Sequence, residues 1–299
     1  MSVVLLLLCK LKPNLSSGPD RLPPLLFKQV KLSIAKALAI FFPQLLSVGF
    51  VPQEWKTAII TPVFKKGTAG SVVNYRPISL TCVASKIMER IIAKSLMRHL
   101  TQVTENHLLS TVQHGFVKRR STCTNLLESL NDWTLAIQDG HSVVVGYIDF
   151  NKAFDSVSHE KLFYCLNQYG VRGELLLWLT HFFNGRTHQT RIGASLSSVA
   201  DLLSGVVQDS GIGPVTFIIF IDGLAKLMEE HSIQCKIFAD DVKIYISVLN
   251  VNCTSKLQAA LNLISAWADD WQLPISISKC SILNIGSKAV SVNGVKAAA

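Results

Sequence analysis

The sequence is short of charge, and of negative charge in particular. Only 16% of its 299 residues are charged, and 29 Lys and Arg face 20 Asp and Glu, for a formal net charge of +9. An excess of positive charge disfavours basic or cationic partners and points to a polyanion, either nucleic acid or an anionic surface. Cys-x-x-C pairs are absent. The seven cysteines stand singly, without Cys/His ligand spacing, so neither a zinc ribbon nor a disulfide scaffold is indicated. They read as reduced, mostly buried thiols, the usage of a nuclear or cytoplasmic protein and not of a secreted one. One segment resembles a targeting signal, VVLLLLC at 3–9. It has no charged leader and no A-x-A cleavage site, and it is far shorter than the ~20 residues of a membrane span. A basic protein resting on a membrane surface through residues 3–9 is a separate reading, testable by liposome flotation. Internal repeats and low-complexity tracts are also missing.

Hydrophobic residues are abundant, at 49%, and the length allows a large core and one or two domains. Apolar periodicity predicts a helix over 28–49 interrupted at Pro43, a strand over 56–64 and a turn at Lys65-Lys66-Gly67. A helix capped by Ser85 should run to Leu100, and another from Thr122 to Asp139, stopped by Gly140. SVVVGYIDF at 142–150 reads as a strand ending in an acid. Helices follow near 159–169 and 173–184, then a polar β-like stretch over 187–206 and a helix from Gly213 to about Glu230. Irregular alternation of helices and strands makes the class α+β.

KIFADDVKIYI at 236–246 poses the chemical question. Without its acids it is a buried β segment, yet Asp240 and Asp241 sit side by side within it. Adjacent carboxylates repel, and desolvating them unpaired costs several kcal/mol. An Asp-rich turn at a hairpin tip is one solution; a divalent metal site completed by a distant carboxylate is the other. A second Ala-Asp-Asp, at 268–270, serves as a control. There Leu257, Leu261, Ile264, Trp267 and Trp271 recur at helical spacing, which turns Asp269 and Asp270 to solvent. Asp149, ending its apolar strand, is the candidate third acid, although alone it reads equally well as a strand-end turn residue. Three acids on two β elements are the donor set that holds a pair of Mg²⁺ ions for in-line phosphoryl transfer.

YIDFNKAFDSVSH (147–159), SGVVQDSGIGP (204–214) and FADD (238–241) resemble three successive core motifs of a reverse transcriptase of the non-LTR, LINE-type (jockey-like) retrotransposon branch. SSGPDRLP (16–23), GFVPQEWKTAIITPVFKKG (49–67), NYRPISL (74–80), SKIMERII (85–92) and QHGFVKRRST (113–122) resemble the same branch in order, as does WADDWQLPISISKC (267–280) downstream. The resemblance implies RNA-templated DNA synthesis with two Mg²⁺ ions, an RNA template, a DNA primer and deoxynucleoside triphosphates. It implies a right-hand polymerase: residues 1–140 would be fingers and upstream helices. Residues 141–299 would be the palm, an antiparallel sheet backed by helices, with no endonuclease before Met1 and no thumb after Ala299.

Residue by residue, the resemblance makes Asp149 and Asp240 the principal metal ligands and Asp241 the third acid. Phe154 would clash with a ribose 2′-OH and so select deoxynucleotides; its plainer reading is core packing. Gln208 would touch the nucleotide or template strand. Lys65, Lys66 and Arg76 would face the triphosphate, with a solvated turn as the plainer reading of the lysines. Lys118, Arg119 and Arg120 would meet template phosphates. Lys279 would protonate the leaving pyrophosphate or be an ordinary surface lysine, and Asp155 and His159 would be structural. Departures from the family pattern fall where it has Pro-Gln-Gly and this chain has Val207-Gln208-Asp209, at Gly211 in place of an apolar residue, and at Arg21 in place of glycine. A carboxylate at 209 would oppose a triphosphate, so little synthesis is expected of the chain as written. The alternative function is an inactive retroelement relic that still binds nucleic acid.

Overall fold

The computed structural model describes residues 2–102, 108–248, 254–286 and 296–297. In chain order come helices α1 (Val3–Cys9), α2 (Pro24–Gln29), α3 (Lys31–Ser47) and α4 (Gln53–Lys56), then strands β1 (Thr57–Phe64) and β2 (Tyr75–Leu80). Helices α5 (Val83–Gln102) and α6 (Thr122–Gln138) lead to β3 (Ser142–Ile148). After it come α7 (Ala153–Ser156), α8 (His159–Gln168) and α9 (Gly173–Phe183). Strands β4 (Arg186–Ile192), β5 (Ser195–Leu196) and β6 (Ala200–Leu202) precede α10 (Gly213–Glu230). The hairpin of β7 (Gln234–Phe238) and β8 (Asp241–Val248) is followed by α11 (Thr254–Asp270), β9 (Ser281–Ile285) and β10 (Lys296–Ala297).

Contacts divide the chain into two compact units, Met1–His99 with Leu162–Thr216, and Leu100–Lys161 with Phe217–Ala299. A boundary at residue 140 does not coincide with either. The reason is strand pairing: β4 runs parallel to β1, Thr57 opposite Thr187, which draws the 186–202 stretch to the N-terminal residues. The first unit's sheet has the order β2-β1-β4-β5, with β6 on β4. Its buried anchor is Arg186, 2% exposed, whose guanidinium donates to the carbonyls of Phe182 (3.0 Å) and Trp55 (3.1 Å) and lies 4.5 Å over the Phe182 ring.

The second unit's sheet, β10-β9-β3-β8-β7, is antiparallel except between β10 and β9. β3 is buried at nearly every position, which is why it reads as a continuous Val run and not as an alternating one. Helix α6 covers one face through Trp133, which meets Tyr245 edge to face at 6.0 Å, with Val143, Val145, Leu283 and Ile285 around them. Helix α11 packs on β8, and its Trp267 and Trp271 enclose Phe220 of α10. The α6 start is a reciprocal capping box: Ser121 Oγ accepts from the Thr124 amide (3.2 Å), and Thr124 Oγ1 accepts from the Ser121 amide (2.8 Å).

Two local expectations are corrected. The helix does not break at Pro43, which lies inside α3; the interruption falls at Val30. Leu38, Phe42 and Leu45 form a buried stripe through that turn, with Phe42 edge-on to Trp55 at 6.1 Å, and this packing outweighs the hydrogen bond a proline forgoes. Ser85 is not an N-cap. It lies within α5 and donates to the buried Glu89 at 2.7 Å. Asp269 and Asp270 are exposed, as their helix stripe requires.

Of the described cysteines, Cys82, Cys165, Cys235 and Cys280 are buried, and Cys9 and Cys123 are exposed; Cys253 lies outside the described residues. Burial pushes Cys82 and Cys235 up to about 12. An alkylating reagent at neutral pH should therefore label Cys9 and Cys123 first, leaving Cys82 and Cys235 until denaturant is added. Intact-mass and peptide mass spectrometry would check this. Early labelling of Cys235 would mean that β7 is not seated in its sheet.

Candidate active site

The Asp-Asp hairpin turns on two residues, Ala239 and Asp240, between Phe238 and its partner Asp241. β8 then runs antiparallel to β3, Ile148 opposite Val242. The paired register ends there, and Asp149 and Asp241 are the next residues on these two adjacent strands. The backbone thus gathers Asp149, Asp240 and Asp241 at one end of two adjacent strands, although Asp149 comes from a distant part of the chain. Asp149 and Asp240 are half-buried and Asp241 is exposed.

Asp149 is held by the stretch after Trp271. Its carbonyl accepts from the Ser276 amide at 2.7 Å, and the Asn151 amide donates to Pro274 at 2.7 Å. Lys279 Nζ donates to Asp149 Oδ1 at 2.9 Å. That is a more specific place than a plain surface lysine has, and spacing alone gave no sign of it. Asp149, Asp241 and Lys279 line an open cavity of about 490 Å³ together with Tyr147, Lys236 and Lys243. Lys243 is nearly buried, 5.7 Å over the Trp133 ring, and burial, with Lys236 adding to it, lowers its pKa. Among the described residues, no three His, Cys, Asp or Glu groups close on a single point. It is the strand register, more than the side-chain directions, that assembles the acids. The donor set is nonetheless all carboxylate oxygen, as hard divalent cations require, and Asp149 already meets a cation in Lys279.

Phe154, half-buried on α7, stacks on Phe217 at 4.2 Å with 11° between the planes and meets Phe116 edge-on at 6.2 Å. Lys118 and Arg119 are exposed in the turn before α6. Arg120 differs from them, because its guanidinium donates to the carbonyls of Thr111 and Gln113. It braces its own loop through Nη1.

The remaining candidates lie in the first unit. Lys65, Lys66 and Arg76 are exposed at one end of the β1–β2 hairpin, where Val63 faces Arg76 and the Lys65 amide donates to Asn74 at 2.8 Å. In the 207–211 loop Val207 is buried, Gln208 half-buried and Asp209 exposed, with φ +65° at Asp209. Aspartate is among the few residues other than glycine that adopt this region readily, which accounts for its standing at a glycine position. The Asp209 carboxylate is not bare: Lys86 of α5 meets it at 3.0 Å. One helical turn on, Glu89 accepts the Gly211 amide at 2.8 Å. A Cβ at Gly211 would come within 2.9 Å of the Arg90 amide nitrogen, so no apolar side chain fits there. Both departures in this loop are matched by α5, and neither Lys86 nor Glu89 was visible as a partner in the sequence.

The profile of the family described as reverse transcriptase (RNA-dependent DNA polymerase) matches residues 63–296. The RNA-directed DNA polymerase from mobile element jockey of Drosophila melanogaster is 28% identical over 296 residues, 97% of this chain and 32% of that protein. The Pol polyprotein of the R2 element of Popillia japonica is 26% identical over 207 residues, 65% of this chain and 28% of that protein. The chain thus spans about a third of the length of the curated relatives it matches. Among solved structures, apo telomerase from Candida tropicalis, truncated from its C-terminal domain, superposes with a TM-score of 0.57 at 12% identity, over 87% of this chain and 56% of that one. No helix among the described residues is long and apolar enough to cross a membrane. With the profile covering most of its length and its acids gathered on one sheet end, the chain belongs to the reverse transcriptase family.

Proposed function

We propose that the chain is the RNA-directed DNA polymerase segment of a non-LTR retrotransposon, adding deoxynucleotides to a DNA primer on an RNA template. The observation that carries this reading is Asp149 and Asp241 together where the β3–β8 register ends, beside the Asp240 turn. Asp149, Asp240 and Asp241 would hold two Mg²⁺ ions, which supply charge neutralisation at the attacking 3′-hydroxyl and the departing pyrophosphate. Lys279 balances the charge of Asp149 and is placed to give a proton to a leaving group beside it. Lys65, Lys66 and Arg76 are the cations offered to the triphosphate, and Gln208 a polar contact for nucleotide or template. Lys118 and Arg119 would track template phosphates, a sequence-independent contact. Buried thiols outside any disulfide among the described residues fit a nuclear or cytoplasmic setting.

A second reading, the inactive nucleic-acid-binding relic, is favoured by Asp209. One experiment separates them: replace the matching segment of the jockey polymerase with this chain and measure Mg²⁺-dependent primer extension on a homopolymer RNA. Extension supports the polymerase; RNA retention without extension supports the relic.

The Phe154 ring, fixed between Phe116 and Phe217, is a rigid wall suited to excluding a 2′-hydroxyl. In an active chimera, Phe154→Ala should raise ribonucleotide over deoxynucleotide incorporation at least tenfold. An unchanged ratio, with lower thermal stability, would make Phe154 a packing residue alone.

A further inference from the structure

The Ala239–Asp240 turn is poorly encoded by its own residues. Two-residue hairpin turns take Gly, Asn or Asp wherever φ is positive, yet Ala239 has φ +57°. A left-handed alanine is strained and persists only where surrounding structure imposes it. That surrounding structure is the 112–115 stretch. The Ile237 amide donates to the Val112 carbonyl at 2.9 Å and the His114 amide to the Ile237 carbonyl at 2.8 Å, so this stretch runs as a short parallel edge beside β7. From it Gln113, 1% exposed, directs Oε1 at two backbone amides, Ala239 at 3.0 Å and Gly115 at 2.7 Å. A Cβ on Gly115 would lie 2.3 Å from the Ala239 nitrogen, so this approach admits glycine alone.

Gln113 is an expensive choice for a core position. Its Nε2 is buried without a hydrogen-bond partner, a desolvation penalty that a hydrophobic residue of the same shape would avoid. What it supplies in exchange is one acceptor at the strained turn. The geometry points to Gln113 as a positioning residue for Asp240, acting through the Ala239 amide. It fixes the turn that presents the acid, and Gly115 makes room for it. Its relevance to catalysis rests on the polymerase reading above; the clamp itself does not.

The test uses the full chain labelled uniformly with ¹⁵N and ¹³C. In Gln113→Met, which keeps the volume and removes the acceptor, amide exchange at Ala239 should rise at least tenfold, while Gln113→Glu, which keeps the acceptor, should restore protection. Unchanged exchange at Ala239 in folded Gln113→Met would overturn the proposal. If Gln113→Met does not fold, a through-hydrogen-bond coupling between the Ala239 nitrogen and the Gln113 side-chain carbonyl in the wild-type chain decides, its presence supporting the clamp and its absence overturning it. A Mn²⁺ titration adds a readout that general packing would not move: the concentration that half-broadens the Asp240 resonance should rise at least fivefold in Gln113→Met. An unchanged Mn²⁺ midpoint despite faster exchange at Ala239 would overturn the positioning role. No broadening in the wild-type chain would count against the polymerase reading, and exchange at Ala239 would then decide on the clamp alone.

Discussion

Replacing Asp240 with Asn is expected to lower primer extension by the chimera at least a thousandfold and to leave RNA binding within about twofold. Metal-borne stabilisation of a developing charge is worth several kcal/mol, and each 1.4 kcal/mol is a factor of ten, so losing about 4 kcal/mol removes three decades. Asp149→Asn should behave in the same way, because it adjoins the end of the β3–β8 register, as Asp241 does on the neighbouring strand. RNA binding is governed by cations and so hardly senses one acid. Asp270→Asn is the matched control: the same tripeptide, exposed at the end of helix α11. Extension surviving Asp240→Asn would remove the mechanism, and loss of extension in Asp270→Asn would show that the assay reports folding.

The second large effect concerns Lys86. A bare Asp209 about 6 Å from a triphosphate charge would oppose it by ~3 kcal/mol at an effective dielectric of 20, or roughly two decades of affinity. Lys86 at 3.0 Å cancels most of that. Asp209→Gly alone should therefore improve deoxynucleotide affinity by less than tenfold. Lys86→Ala, which uncovers the carboxylate, should weaken it by up to about a hundredfold, and Lys86→Ala with Asp209→Gly should recover the loss. Measured affinities that simply add, with no rescue in the double variant, would show that the pair does not act on the nucleotide. A gain well above tenfold from Asp209→Gly alone would restore the view that this loop is the lesion.

Several elements were legible because their signals are local. The Gly140 stop and the Val-rich β3 carry their reasons in adjacent residues. The two Ala-Asp-Asp copies were separable because one lies on a helical stripe and the other between β-formers. Pro43 misled because local propensity was outweighed by a packing stripe that only the folded chain displays. The β1–β4 pairing was not readable, because it is a long-range match without a local signature. The site divides in the same way. Its acids were readable from their cost, two adjacent carboxylates inside a β segment. Their supports, Lys279 on Asp149, Lys86 on Asp209 and Gln113 on Ala239, were not, because each joins residues far apart in the chain.

The strap that holds Asp149 has a consequence for biosynthesis. The hydrogen bonds to Ser276 and Pro274 come from residues translated long after β3 and the Asp-Asp hairpin. Contacts this distant in sequence form late, since loop-closure entropy must be met before they contribute. A nascent chain can pair β3 with β8 while still on the ribosome, but Asp149 stays untethered until Ser276 has emerged. Ribosomes that stall or release before that point leave the β3–β8 pair without the strap that fixes its end at Asp149.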